Sequence, residues 1–174
     1  AAKYKNKIVG TFGDLGAYSF VFTKNFKCYG DAGMVITNNE DMYEYLKQFR
    51  DIGRSSKYEH AIWGLNSRLD EAQAAILRIT LPYLDEWTDK RRENAEYYSS
   101  ELKNLPLITP IEKDNGKHVY HQYVIKTDKR DELQEFLRKN GIATGIHYPI
   151  PVHLQLPAKQ FGYKKGDYSV TENI

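Results

Sequence analysis

The sequence predicts an α/β layer that passes through a long helix into a smaller α+β portion. Three observations predict it. Met34 to Thr37 reads as a buried strand and leads into a helix with Met42, Tyr45, Leu46 and Phe49 at helical spacing, the strand-then-helix order of an α/β layer. From about residue 69 to 102 apolar residues keep a helical period over a stretch much longer than an ordinary globular helix. After Asn104-Leu105-Pro106 the period shortens to alternation, broken by one short helix.

In order, glycines 10, 13 and 16 punctuate short extended pieces around Ile8-Val9 and Ala17 to Phe22. Asn38 or Asn39 caps the first helix, which ends before Gly53. Arg54 to Trp63 is polar, aromatic and aperiodic, a loop long enough to carry a function. Ser67 with Asp70 marks the next helix start, and Asp70 and Glu71 suit the positive end of its dipole. One apolar stripe runs through Ala72, Ala75, Ile76 and Ile79, and a second through Leu84, Trp87, Arg91, Ala95, Tyr98 and Leu102. Pro82 lies between them and should kink or split the helix.

Val119 to Lys126 alternates like a strand. Asp128 caps a helix bearing Leu133, Phe136 and Leu137, Gly141 ends it, and Ile142 to His147 offers a second strand. Prolines 149, 151 and 157 stiffen an irregular segment ending at Phe161-Gly162-Tyr163. The expected division is residues 1–68 as the end of a larger α/β domain, 69–102 as a bridging helix, and 103–174 as an incomplete smaller domain. A start without methionine and a stop where another helix opens are read as a segment of a longer protein.

Composition removes several classes. With 25 basic and 23 acidic residues and a net charge of +2, no basic footprint for nucleic acid or an anionic membrane stands out. No apolar run is long enough to span a bilayer. The single cysteine, Cys28, excludes an internal disulfide framework and fits a reducing cytoplasm.

Lys24 carries the most chemical information. It follows Tyr18-Ser19-Phe20-Val21-Phe22-Thr23 and precedes Gly30-Asp31-Ala32-Gly33. Such a lysine can hold an aldehyde cofactor as a Schiff base, which requires a neutral amine in a desolvated setting. Phe20, Val21 and Phe22 could supply that setting; the plain alternative is a surface lysine whose stem covers apolar groups. Asn66, just ahead of a helix, can reach an anion or simply cap a turn. Arg68 can bind phosphate or carboxylate, or pair with a neighbouring acid. In His147-Tyr148-Pro149-Ile150-Pro151-Val152-His153 the two histidines lack further metal ligands. They read as structural, or as part of a loop lining a substrate cleft. No metal site is expected.

Taken together, six segments in register resemble one family. They are Gly10-Thr11-Phe12-Gly13-Asp14, Tyr18-Ser19-Phe20 with Lys24, Gly30-Asp31-Ala32-Gly33, Asn66-Ser67-Arg68-Leu69-Asp70 with Gln73-Ala74-Ala75, the Arg91-Arg92 helix, and His147-Tyr148-Pro149. The family is the DegT/DnrJ/EryC1/StrS group of pyridoxal-phosphate-dependent nucleotide-sugar aminotransferases, of fold type I. The resemblance implies an aspartate-aminotransferase-like fold, with Lys24 as the Schiff-base lysine and proton-moving base. It implies Ser19 as a ligand of the cofactor phosphate, and Asn66 as a residue reaching the phosphate of the neighbouring subunit in a homodimer. His147 and Tyr148 are then substrate-facing.

The implied reaction is ping-pong transfer of an amine from glutamate to a nucleotide-linked keto-sugar. His147 to Gln155 is most similar to members acting at C3 of a thymidine-diphosphate 3-keto-6-deoxyhexose; C4 amination is the alternative. Outside catalysis, a regulator or interaction protein on the same fold is a third possibility. The family's Gly-Glu-Gly-Gly or Gly-Asp-Gly-Gly has Ala32 in its third place here, which predicts a slightly altered loop. The family's acid for the pyridine nitrogen, its ring-stacking aromatic and its phosphate-binding turn precede its lysine. They would fall before Ala1, so the 174-residue chain alone is expected to be inactive and poorly folded.

Overall fold

The computed structural model describes residues 2–174 and divides into two compact units. One runs to Glu101 and adds Pro110–Tyr123; the other comprises Leu102–Thr109 and Val124–Ile174. The chain is α/β throughout, with short strands and longer helices.

The first unit opens on a hairpin that the glycine pattern does not foretell. Strand β1 (Lys3–Tyr4) pairs antiparallel with β2 (Lys7–Ile8). Lys5 and Asn6 between them have φ of 47° and 62°, the two left-handed residues that a tight two-residue hairpin needs. β3 (Gly16–Ser19) pairs antiparallel with β4 (Gly33–Ile36), matching Gly16 to Ile36 and Ser19 to Gly33. The predicted strand over Met34–Thr37 is thus shifted by one residue, and it is largely exposed rather than buried.

Helix α1 (Glu40–Phe49) follows, and Asn39 is its cap: the side-chain oxygen accepts from Met42 N at 3.0 Å. Asn39→Ala leaves that N–H without its partner and should destabilise the unit by about 1 kcal/mol. Urea denaturation of folded protein, beside an Asn38→Ala control, measures it.

After α1 the chain crosses itself tightly. Gly53 has φ of 74°, and a Cβ there would overlap the backbone of Ile62. Ala61 N donates to Gly53 O at 2.9 Å and Leu65 N to Phe49 O at 2.7 Å, so the loop predicted over 54–63 is an excursion pinned at its neck. Glycine is required because two backbones touch there.

Helix α2 (Glu71–Thr80) gives way at Pro82 to a 3₁₀ turn, Leu81–Tyr83, and α3 (Leu84–Leu102) continues. The split falls where proline removes a helical donor. On α3 the expected stripe holds at Ala95, which is buried, and at Leu84, Trp87 and Leu102, which are half-buried. Tyr98 is exposed, Thr88 is buried as well, and Arg92, not Arg91, turns inward. The aliphatic stem of an arginine made either position look acceptable in a stripe. β5 (Gly116–Lys117) returns to β1, giving the strand order β2-β1-β5.

A small core forms where Leu77 of α2 meets Phe20 and Cys28, with Tyr18, Phe26 and Ala32 packed around them. Phe20 and Phe26 meet edge to face at 5.4 Å between centroids.

The second unit contains α4 (Arg130–Lys139), 3₁₀ turns at Val152–Leu154 and Leu156–Phe161, and α5 (Ser169–Glu172). Two expected strands do not form ladders. Over Val119 to Lys126 the pairing is a single bridge, Ile108 to Lys126, and Tyr120 at φ 41° breaks the extended run. Ile142 to His147 forms no ladder; alternation alone does not make a strand. Thr127 Oγ1, not Asp128, takes the Lys129 N–H ahead of α4.

Among the described residues of this unit the buried one is polar. His153 Nε2 lies 2.8 Å from Glu172 Oε1, and Glu172 also accepts from Gly166 N at 2.9 Å. The His153 bond, then the Gly166 N–H, hold the Glu172 carboxyl below the ordinary glutamate value of 4.5. A carboxylate depressed on folding stabilises above its unfolded value, and that contribution is lost as pH falls through the lower folded one. Protection of the Gly166 amide, the exchange rate of an unstructured amide relative to its own at the same pH, should therefore fall as the pH drops below about 4.5, and Glu172→Gln should flatten that response.

Candidate functional site

Ser19 ends β3, and the chain beyond it folds into an irregular hairpin. Phe20 N donates to Ala32 O at 2.8 Å, Cys28 N to Phe20 O at 2.8 Å and Phe22 N to Gly30 O at 3.2 Å. Lys24 stands in the turn so formed, its N–H given to Val21 O at 2.9 Å. Lys24 is half-buried.

Ala32 is accommodated without left-handed backbone. Positive φ in this loop falls at Gly30, 148°, while Ala32 packs its methyl on the Phe20–Cys28–Leu77 core. Gly33 is needed for another reason: a Cβ there would come within 2.9 Å of Tyr18 O across the β3–β4 pair. The altered third residue therefore changes packing rather than chain direction.

Opposite the hairpin, the entry to α2 brings up Ser67, Arg68 and Leu69. Together with Ser19, Val21, Asp31, Ala32 and Gly33 they line a polar hollow of about 430 Å³. Two hydroxyls and a guanidinium are a donor set suited to a phosphate monoester, with Asp31 the one acid on the wall. Arg68 is held in two directions: its Nε donates to Asn66 Oδ1 at 3.2 Å and its Nη1 lies 3.4 Å from Asp51 Oδ1. Arg68 is thus ion-paired with a neighbouring acid and also lines the hollow.

Of the residues singled out in the sequence, Ser19 lines the hollow directly. Lys24 is not on its wall; its backbone N–H is bonded to the carbonyl of Val21, which is. Asn66 is exposed beside it in sequence and bridges to Asp51. His147 and Tyr148 lie in the second unit, both exposed, with ring centroids 5.3 Å apart. The sequence assigns Ser67 only to a helix start and Asp31 to no role; hydroxyls and acids are too common for spacing alone to place them in a site.

Farther along the first unit, Arg92 of α3 makes a two-bond fork with Glu112, 2.7 and 3.0 Å, and gives a further bond to His118 O at 2.6 Å. His118 N donates to Glu112 Oε1 at 2.8 Å. Arg92 holds the Glu112 carboxyl below its ordinary range, and Glu112 in turn raises Arg92. No sequence spacing signals a pair 20 residues apart.

A sequence model of the DegT/DnrJ/EryC1/StrS aminotransferase family matches residues 1–174. A pleiotropic regulatory protein of Geobacillus stearothermophilus is 47% identical over 174 residues, 98% of this chain and 47% of its own. The dTDP-3-amino-3,4,6-trideoxy-alpha-D-glucose transaminase of Streptomyces venezuelae is 42% identical over 154 residues, 88% of this chain and 41% of its own. Among solved structures, S. venezuelae DesV in complex with a ketimine intermediate superposes with a TM-score of 0.94 at 38% identity, over 99% of this chain and 47% of that one. NtdA from Bacillus subtilis with bound cofactor PMP gives 0.85 at 31%, over 95% and 40%. The chain spans about half the length of the curated relatives it matches.

Proposed function

The chain belongs to the DegT/DnrJ/EryC1/StrS aminotransferase family, and from that we propose that it forms half of a pyridoxal-phosphate-dependent aminotransferase. The amine comes from glutamate and goes to the keto group of a nucleotide-linked deoxysugar. One observation carries the reading. The wall residue that fixes the Lys24 backbone, Val21, shares a hollow with Ser19, Ser67 and Arg68, so a candidate covalent anchor and a phosphate-suited donor set belong to one loop system.

When bound, pyridoxal phosphate supplies an electron sink that acidifies the carbon bearing the amine. The chain's own residues do the rest. Ser19 and Arg68 would offer donors to the phosphate, and Lys24 Nζ would anchor the cofactor and then, in each half-reaction, move the proton between the bound substrate's carbon and the cofactor's carbon. Asn66, exposed and next to Ser67 in sequence, is assigned to the cofactor phosphate of a second subunit in a homodimer. His147 and Tyr148 are assigned to the sugar nucleotide. The named specificity of the Streptomyces relative and the similarity of His147 to Gln155 to C3-acting members support a thymidine-diphosphate 3-keto-6-deoxyhexose as acceptor, in a cytoplasmic setting.

The test incubates full-length protein with glutamate and a panel of nucleotide 3-keto- and 4-keto-sugars and locates the new amine. A 3-amino product is expected, and a 4-amino product moves the assignment to C4. The regulatory name of the Geobacillus relative favours a second reading, a regulator on the same fold. Cofactor-loaded protein that aminates no sugar would leave that second reading in place of the first.

A further inference from the structure

Packing holds the Lys24 turn at Phe26 and Cys28 but not at its outer residues. Phe22 is 60% exposed and Tyr29, where the hairpin returns, is 77% exposed. Two side-chain amides hold it instead. On one side Asn25, next to the lysine, donates Nδ2 to Val119 O at 2.9 Å across 94 residues of sequence. Val119 follows His118, whose carbonyl and N–H are both tied into the Arg92–Glu112 fork, so this anchor is rigid. On the other side Gln73 of α2 closes on Tyr29 with both ends of its amide. Gln73 Oε1 accepts from Tyr29 N at 2.9 Å and Nε2 donates to Tyr29 O at 2.9 Å. Leu77, one helical turn on, packs against Phe20 and Cys28, so the same face of α2 meets the hairpin twice.

Asn25 also carries an anomaly. Its Oδ1 is buried without a hydrogen-bond partner among the described residues. A buried unpaired amide oxygen is destabilising, and such features concentrate where function constrains the chain.

We propose that Asn25 and Gln73 are positioning residues that set the place of Lys24 from either side of its turn. The proposal rests on the reading of Lys24 as the cofactor-bearing lysine. Small displacements of a reacting group are amplified in rate, because covalent attack needs a narrow approach geometry. Asn25 fixes the backbone immediately after Lys24. Gln73 fixes the register of the returning strand, which through Cys28 and Gly30 holds Phe20 and Phe22 ahead of the lysine. Neither amide is assigned contact with the cofactor.

The experiment uses full-length protein, pyridoxal phosphate and borohydride, and follows by peptide mass spectrometry the rate at which the cofactor is fixed to Lys24 between pH 6 and 9. Asn25→Ala and Gln73→Ala are compared with Ser99→Ala, a control on α3 that loses a 2.9 Å contact with the Tyr123 hydroxyl. Fixation at Lys24 should slow about tenfold or more in the two amide variants, with a displaced pH profile. Ser99→Ala should keep both rate and profile. Gln73→Glu keeps the acceptor for Tyr29 N and loses the donor to Tyr29 O, so an intermediate rate is expected; it carries the test if either alanine variant fails to fold. Folded amide variants with the wild-type rate and profile would overturn the proposal while leaving Lys24 in place. No fixation on wild-type Lys24 would remove the functional reading and this proposal together.

Discussion

Lys24→Ala is expected to lower amine transfer from glutamate by roughly 10³-fold or more in the cofactor-loaded, full-length protein, because anchor and proton carrier are removed at once. Folding should change little. The side chain is half-buried, and the bond that shapes the turn, Lys24 N to Val21 O, belongs to the backbone and survives the substitution. The measurement is single-turnover formation of 2-oxoglutarate, with circular dichroism as the folding control. Lys24→Arg should fail as completely, since a guanidinium stays charged and cannot attack a carbonyl. Lys27→Ala, three residues on, should retain near-wild-type turnover. If Lys24→Ala turns over within tenfold of wild type, Lys24 is a surface lysine and the bland reading of its sequence stands.

The second large effect concerns stability. Arg92→Ala removes a fork to Glu112 and a bond to His118 O in one step, and leaves a half-buried carboxylate facing a carbonyl it cannot pair with. The two side chains are 30% and 28% exposed, so solvent screens part of the interaction. A loss of about 2–3 kcal/mol is expected, between the values for surface and fully buried pairs. Arg91→Ala, on the exposed neighbouring position, should stay within about 0.5 kcal/mol.

Their pH dependence separates the two variants further. Glu112 is depressed chiefly by the Arg92 hydrogen bond, with the His118 N–H adding to it. Its contribution is present above the ordinary glutamate value of 4.5 and is lost as pH falls through the lowered folded value. Wild-type protein should therefore weaken below about pH 4.5, and Arg92→Ala should show a shallower acid limb because its Glu112 lacks the main cause of depression. Denaturant titrations at pH 7 and pH 3.5 decide it; equal losses for Arg91→Ala and Arg92→Ala would contradict the account.

What could be read in advance depended on sequence distance. The break at Pro82 and the cap at Asn39 were legible because each is written within about four residues, whereas α2 and α4 start after Asp70 and Lys129 rather than at the expected caps Ser67 and Asp128. Strand pairing is not local. Val119 to Lys126 alternates well yet finds one bridge, and the β1–β2 hairpin rests on Lys5 and Asn6, residues that carry no strong turn signature together.

The site divides in the same way. Ser19 and Lys24 stand five positions apart and were visible as a pattern; Ser67 and Arg68 share a hollow with Ser19 only because α2 returns through Leu77. Gln73 was visible as part of a motif, but its partner Tyr29 is 44 residues away, and that of Asn25 is 94 away. Amide side chains hold any backbone group that comes within reach, so their partners are decided by topology.

The most direct measurement is to load full-length protein with pyridoxal phosphate, reduce it with borohydride and map the added mass by peptide sequencing. The account predicts one modified peptide, with the cofactor on Lys24. Modification of a different lysine, or of none, would contradict it.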